Sequence, residues 1–160
     1  MTTLTTRASA AILAAGAAVG AVIAVAPPAQ AAETITGRLS AETPYLDGFN
    51  RLTGSATVTC TAGTKDGLRV LSQQVRVADV ELNMQRLIPG GTWQSVAVGG
   101  ETEGPGVWSE LQIGAKAHFQ GVPDDEPIKY RIRAHGVCMN TNNQEVHFDA
   151  TSGVSEFFLS

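Results

Sequence analysis

Four residues near the end of the chain carry the side chains best suited to chemistry: His135, Glu145, His147 and Asp149. Imidazole and carboxylate together suit zinc or copper, and the same side chains would serve a small secreted hydrolase. Whether they meet depends on strand register. If a hairpin centred near Asn142 pairs Cys138 with Val146, His135 falls opposite Asp149 on the solvent side. The plain reading of the same residues is a polar outer face with a His–Asp contact worth about 0.2–1 kcal/mol as a cross-strand pair. The sequence favours that reading, because a slip of two residues separates the pair. No metal and no cofactor are therefore expected, and His135, His147 and Asp149 stand only as the set a metal-dependent protein would use.

Other candidates are single patches. Lys129, Arg131, Arg133 and His135 alternate along one segment and make a basic stripe fit for an anionic sugar or an acidic protein patch. Trp93 and Trp108 are the only tryptophans and could stack on a sugar ring, although two Trp in a small domain usually fill core or rim. The run Asp124-Asp125-Glu126 offers oxygen ligands but lacks the alternating acidic spacing of a calcium loop, so it reads as a solvated turn. No Gly-x-Ser-x-Gly elbow, His-Glu-x-x-His helix or phosphate loop occurs in the sequence.

The two cysteines, Cys60 and Cys138, are not part of any Cys-x-x-Cys pair of the kind that builds structural zinc sites. An even count in an exported chain reads as one disulfide, which also removes both thiols as nucleophiles. Export is read from the first 31 residues: Arg7, an apolar run from Ala8 to Ala26 dominated by Ala and Gly, then Pro27-Pro28 and Ala29-Gln30-Ala31. That order describes a secretory signal peptide cleaved after Ala31 rather than a Leu-rich membrane span, so no stable membrane anchor is expected after cleavage. The mature chain, residues 32–160, has the size of one domain. It keeps ten basic and fifteen acidic side chains, a net charge of −5 with His neutral. Nucleic acid is excluded as an expected partner, because phosphate contacts need a positive face.

The elements that must position these residues follow period two. Leu52, Gly54, Ala56, Val58 and Cys60 alternate with Thr53, Ser55, Thr57, Thr59 and Thr61. The same alternation runs through 80–85, 111–120, 129–138 and 145–151. It is the mark of antiparallel strands with one wet face. Both cysteines fall on the apolar side of their strands and can meet between two sheets. Weaker strands are expected at Glu33 to Leu39, Leu68 to Val77 and Trp93 to Val98, with a bulge or turn at Ala78-Asp79. Turns are expected at 61–67, 89–91, 99–106, 122–127 and 139–144, where Gly, Pro, Asn and Asp gather. The prediction is one all-β domain, a single antiparallel β-sandwich of seven to nine strands with an immunoglobulin-like build, stapled by Cys60–Cys138.

Val80 to Arg86, the Pro89-Gly90-Gly91 turn and Trp93-Gln94-Ser95-Val96 resemble the central hairpin of an immunoglobulin or fibronectin type III domain. Glu126 to Ala134 resembles the penultimate strand of a fibronectin type III domain. Antibody-type domains place a Trp on the strand after the first Cys and a Tyr two residues before the second. Here Trp93 follows the turn and Tyr130 lies eight residues before Cys138. The resemblance implies a sandwich and transfers no functional residue. With no catalytic motif, the expected function is non-catalytic binding of an extracellular protein or polysaccharide through loops at one end of the sandwich, with Trp93, Trp108, Arg131 and Arg133 as candidate contacts. The alternatives are the hydrolase or metal-dependent protein above, and a secreted enzyme inhibitor presenting a rigid loop such as 99–106.

Overall fold

The structure, a computed structural model, describes residues 35–49, 51–65, 68–69, 74–121 and 127–157. The expected signal segment, the Asp124-Asp125-Glu126 run and the last three residues lie outside them. Among the described residues there are eleven strands: β1 Thr36–Ala41, β2 Tyr45–Leu46, β3 Leu52–Thr61, β4 Thr64–Lys65, β5 Leu68–Arg69, β6 Val75–Ile88, β7 Thr92–Glu103, β8 Glu110–Phe119, β9 Ile128–Asn140, β10 Glu145–Thr151 and β11 Ser155–Phe157. No helix occurs among these residues.

Alternation explains which face each strand buries. Leu52, Ala56, Val58 and Cys60 of β3 point into the core with Ile113, Ala115 and Ala117 of β8, and meet Val80, Leu82, Met84, Ile132, Ala134 and Phe148 from the other side. The first sheet is four-stranded: β8 runs along one edge of β3 while β1 and β2 share the other. The second is five-stranded in the order β10-β9-β6-β7, with β11 continuing the β10 edge of β9. β4 and β5 form a separate small hairpin. All pairings are antiparallel.

The sheets interlock through size differences. A Cβ on Gly54 would lie 2.2 Å from Cδ1 of Ile132, so the missing side chain on β3 is the space that Ile132 of the facing sheet occupies. Cys60 and Cys138 are fully buried and joined, with Cα atoms 5.6 Å apart across the sheets. The sandwich and the disulfide are thus those expected from the alternation.

Several boundaries differ from expectation. The Gly99–Gly106 segment is mostly strand: β7 runs to Glu103, and Gly99 and Gly100 pair with Leu82 and Glu81. Glycine at 99 serves close approach rather than a turn, since a Cβ there would sit 2.1 Å from the Lys116 carbonyl oxygen of β8. Only Gly104-Pro105-Gly106 remains to lead away from the strand. The irregularity expected at Ala78-Asp79 falls between Val75 and Val77, leaving Arg76 extra against β9. A second shift, opposite Met84/Gln85, leaves Val96 extra on β7. Leu68 to Val77 is divided between β5 and the start of β6. The Pro89-Gly90-Gly91 turn is as expected, with both glycines at positive φ and Gly91 N–H donating to Ile88 at 3.1 Å.

Neighbouring positions on β9 test the phase of the sheet. Ile132 is fully buried, whereas Arg133 is exposed on the opposite face. Ile132→Asp should abolish the thermal transition, because burying an unpaired carboxylate costs several kcal/mol. Arg133→Ser should move stability by about 0.5 kcal/mol or less. Equal shifts in Tm for the two variants would contradict the assigned face.

Candidate functional site

Alternation in four adjacent strands places one side chain per strand in rows across the outer face of the five-stranded sheet. Gly100, Glu81, His135 and Asp149 make one row, and Val98, Asn83, Arg133 and Thr151 the next. Thr102, Asp79, Val137 and His147 lie on one side of these rows, and Ser95, Gln85 and Arg131 on the other. Because Gly100 has no side chain, the rows enclose an open trough of about 720 Å³ lined by Glu81, Asn83, Gln85, Arg133, His135 and Asp149 among others. Val98, 73% exposed, adds an apolar flank.

Two structured ends frame the trough. At one, the Arg131 guanidinium stacks 4.2 Å from the Trp93 ring centre while its Nε–H donates to Gln85 Oε1 at 3.0 Å. Such a cation–π contact fixes a planar donor group beside an aromatic face. Burial, and then repulsion from Arg133, pulls the Arg131 guanidinium below its ordinary value, and it stays charged. At the other end four side chains form a line. Asp149 Oδ1 lies 3.1 Å from His135 Nδ1, His135 Nε2 lies 3.3 Å from His147 Nδ1, and His147 Nε2 lies 3.3 Å from Glu145 Oε2. The register beneath them pairs Val146 with Cys138 and Asp149 with His135. Among the described residues, no group of three or more His, Cys, Asp and Glu side chains is placed to hold a metal ion.

The structure separates the remaining sequence candidates. Arg131, Arg133 and His135 share the trough face, and Lys129 pairs with Glu156 of β11. Trp93 belongs to this face, but Trp108 does not. Trp108 bridges its backbone to Val75, covers Gly106 and packs against the core. Glu81, Asn83, Gln85 and Gly100 were not singled out in the sequence. Their signal was present as the outward positions of the alternating segment, but adjacency of β6 to β9 makes them part of the site, and that pairing is long-range. The Asn83 amide oxygen is shielded and lacks a hydrogen-bond partner among the described residues.

A second feature lies between β2 and β3. Phe49 is 81% exposed, beneath which Asp47 accepts backbone N–H bonds from Phe49 at 2.9 Å and Arg51 at 3.0 Å. The Arg51 side chain closes on the same carboxylate at 3.0 Å and lies 5.1 Å from the Phe49 ring centre. Thr53 Oγ1 links this carboxylate to His118 Nδ1, at 3.3 and 3.0 Å. The exposed Phe49 is thus carried beside a hydrogen-bonded carboxylate, whereas the segment 99–106, expected as a rigid loop, is mostly strand.

No protein-family model matches this chain, and no curated protein matches it in sequence. The functional reading therefore rests on the geometry.

Asp47 supplies a pH test of these hydrogen bonds. The Arg51 backbone N–H, opposed by desolvation and aided by Phe49 and the Arg51 side chain, holds the carboxyl at about 2. Its ordinary value is 3.8. The folded state therefore gains stability above about pH 4, and this gain is lost as pH falls toward 2. An NMR titration of the Asp47 carboxyl carbon should show a midpoint near 2, and a midpoint near 3.8 would contradict the anchoring.

Proposed function

We propose that the mature chain is an exported, non-catalytic binding module whose trough takes a polysaccharide. The observation that carries this reading is the trough itself: an open depression whose lining includes amide, guanidinium, carboxylate and imidazole groups, with the Arg131–Trp93 stack on the same sheet face. Sugar hydroxyls both donate and accept, so a surface mixing Asn83, Gln85, Arg133 and Glu81 can satisfy them from several sides. Aromatic faces bind the apolar C–H side of a sugar ring, and Trp93 offers such a face at one end. A protein partner of ordinary interface size favours a patch with an apolar centre, whereas the trough is a recess in which the six polar or charged side chains stand among Leu82, Val98 and Ala134.

Export with removal of residues 1–31 belongs to the same reading. Its support is the buried disulfide, which forms and persists in oxidising compartments. Among the described residues, no helix is long and apolar enough to cross a membrane. The resemblance to immunoglobulin or fibronectin type III domains is kept as part of this reading, carried by the β6–β7 hairpin. The exposed Phe49 ring favours a second reading, recognition of a protein, in which the trough plays no part.

Gly100 provides the discriminating variant. An added Cβ would meet its nearest atom, the Val80 carbonyl oxygen, at an ordinary 3.6 Å, so a larger side chain can stand in the trough without disturbing the strand. Mature protein should be retained by at least one of insoluble peptidoglycan, chitin, cellulose and pectin. Gly100→Leu should lose at least tenfold of that retention at unchanged Tm, while Phe49→Ala keeps it. Retention by none of the four, or equal retention by Gly100→Leu, would overturn the polysaccharide reading.

A further inference from the structure

We infer that His135 and His147 form a surface site for one divalent transition-metal ion of the copper, nickel and zinc class. A neutral imidazole carries one N–H, and a neighbouring carboxylate draws that hydrogen to the nitrogen it faces. Asp149 faces Nδ1 of His135 at 3.1 Å, and Glu145 lies 3.3 Å from Nε2 of His147. With both outer nitrogens protonated, the inner nitrogens, His135 Nε2 and His147 Nδ1, present lone pairs to each other at 3.3 Å. Two lone pairs so placed repel unless a cation lies between them.

The spacing suits a metal. Two nitrogens bound at about 2.0–2.1 Å with a tetrahedral angle are about 3.3–3.4 Å apart, and a small tilt of the half-exposed rings turns both lone pairs to a common point. An outer carboxylate on each ligating imidazole is the usual support of such ligands, fixing tautomer and ring orientation. The surroundings favour a cation: Glu81 is opposite His135 on β6, Asp79 lies in the row of His147, and Asp149 and Glu145 complete the set. Arg133, two residues along β9, is the cation on this part of the face that opposes it. The ring centres are 5.4 Å apart on adjacent strands, so the spacing is set by the sheet rather than by a loop. Water would complete a shell that has only two protein ligands. The sequence favours a plain polar face because it does not show that the two imidazoles face each other.

This inference is independent of the polysaccharide reading, and its test needs no sugar. Untagged mature protein, with residues 1–31 removed, is titrated with Cu²⁺ by calorimetry and examined by electron paramagnetic resonance. The expected result is one ion per chain with hyperfine coupling to two imidazole nitrogens. His135→Ala and His147→Ala should each weaken binding at least tenfold. Asp149→Asn should weaken it about tenfold through loss of the outer support. The side chains of His135 and His147 are 40% and 54% exposed, so both alanine variants are expected to stay folded, which near-UV circular dichroism checks. Binding no tighter in the wild type than in the His135→Ala/His147→Ala double variant would overturn the site and leave a shared proton as the cation between the rings.

Discussion

The bond between Cys60 and Cys138 joins the two strands on which the rest of the sandwich is built. β3 lies inside the four-stranded sheet with partners on both edges, and β9 holds the same position in the other sheet. Closing a loop of 78 residues removes about 4.5 kcal/mol of chain entropy from the unfolded state. Many small domains have a total stability of that order. The core mixes large side chains such as Tyr130, Phe148, Leu52 and Met84 with buried alanines, Ala56, Ala115, Ala117, Ala134 and Ala150 among them. Each alanine contributes little apolar area.

Packing inside the core has a consequence for the outside. Ile132 of β9 fits into the space left at Gly54 of β3. The position of β9 relative to β3 is thereby set from within, and the outward side chains of β9 are set with it. Arg131, Arg133 and His135 alternate with Ile132 and Ala134, so the phase that buries the core side of β9 also sets which of its side chains meet solvent. Charge divides along this face. Its Trp93 end is basic through Arg131 and Arg133, and its His147 end is acidic through Asp79, Glu81, Glu145 and Asp149. An elongated ligand with an acidic group would align along that gradient, and a metal ion would sit at the opposite end.

Period-two alternation made the strand faces, the disulfide and the all-β class legible before any coordinates, because each depends on residues close in sequence or on a single pairing of cysteines. The His135–Asp149 neighbourhood was legible as well, since one hairpin determines it. Sheet order was not. Glu81 and Gly100 join the site because β6 lies between β9 and β7, and nothing within 80–85 specifies a partner 50 residues away. Glycine misled at 99–106: composition alone reads Gly99-Gly100 as a turn, while the structure uses those residues where β7 crosses close to β8 and where the trough needs an absent side chain. Trp108 was equally ambiguous, since packing under Gly106 and stacking on a ligand ask for the same residue type.

Urea unfolding of the wild type and of the Cys60→Ala/Cys138→Ala variant, followed by far-UV circular dichroism and tryptophan fluorescence, shows whether the covalent bond between β3 and β9 holds both sheets, and hence the outer face, as a single cooperative unit. Coincident transitions are expected in the wild type, with a loss of about 4 kcal/mol or outright unfolding in the variant. A variant of unchanged stability, or a wild type whose two signals unfold at different urea concentrations, would contradict that role of the bond.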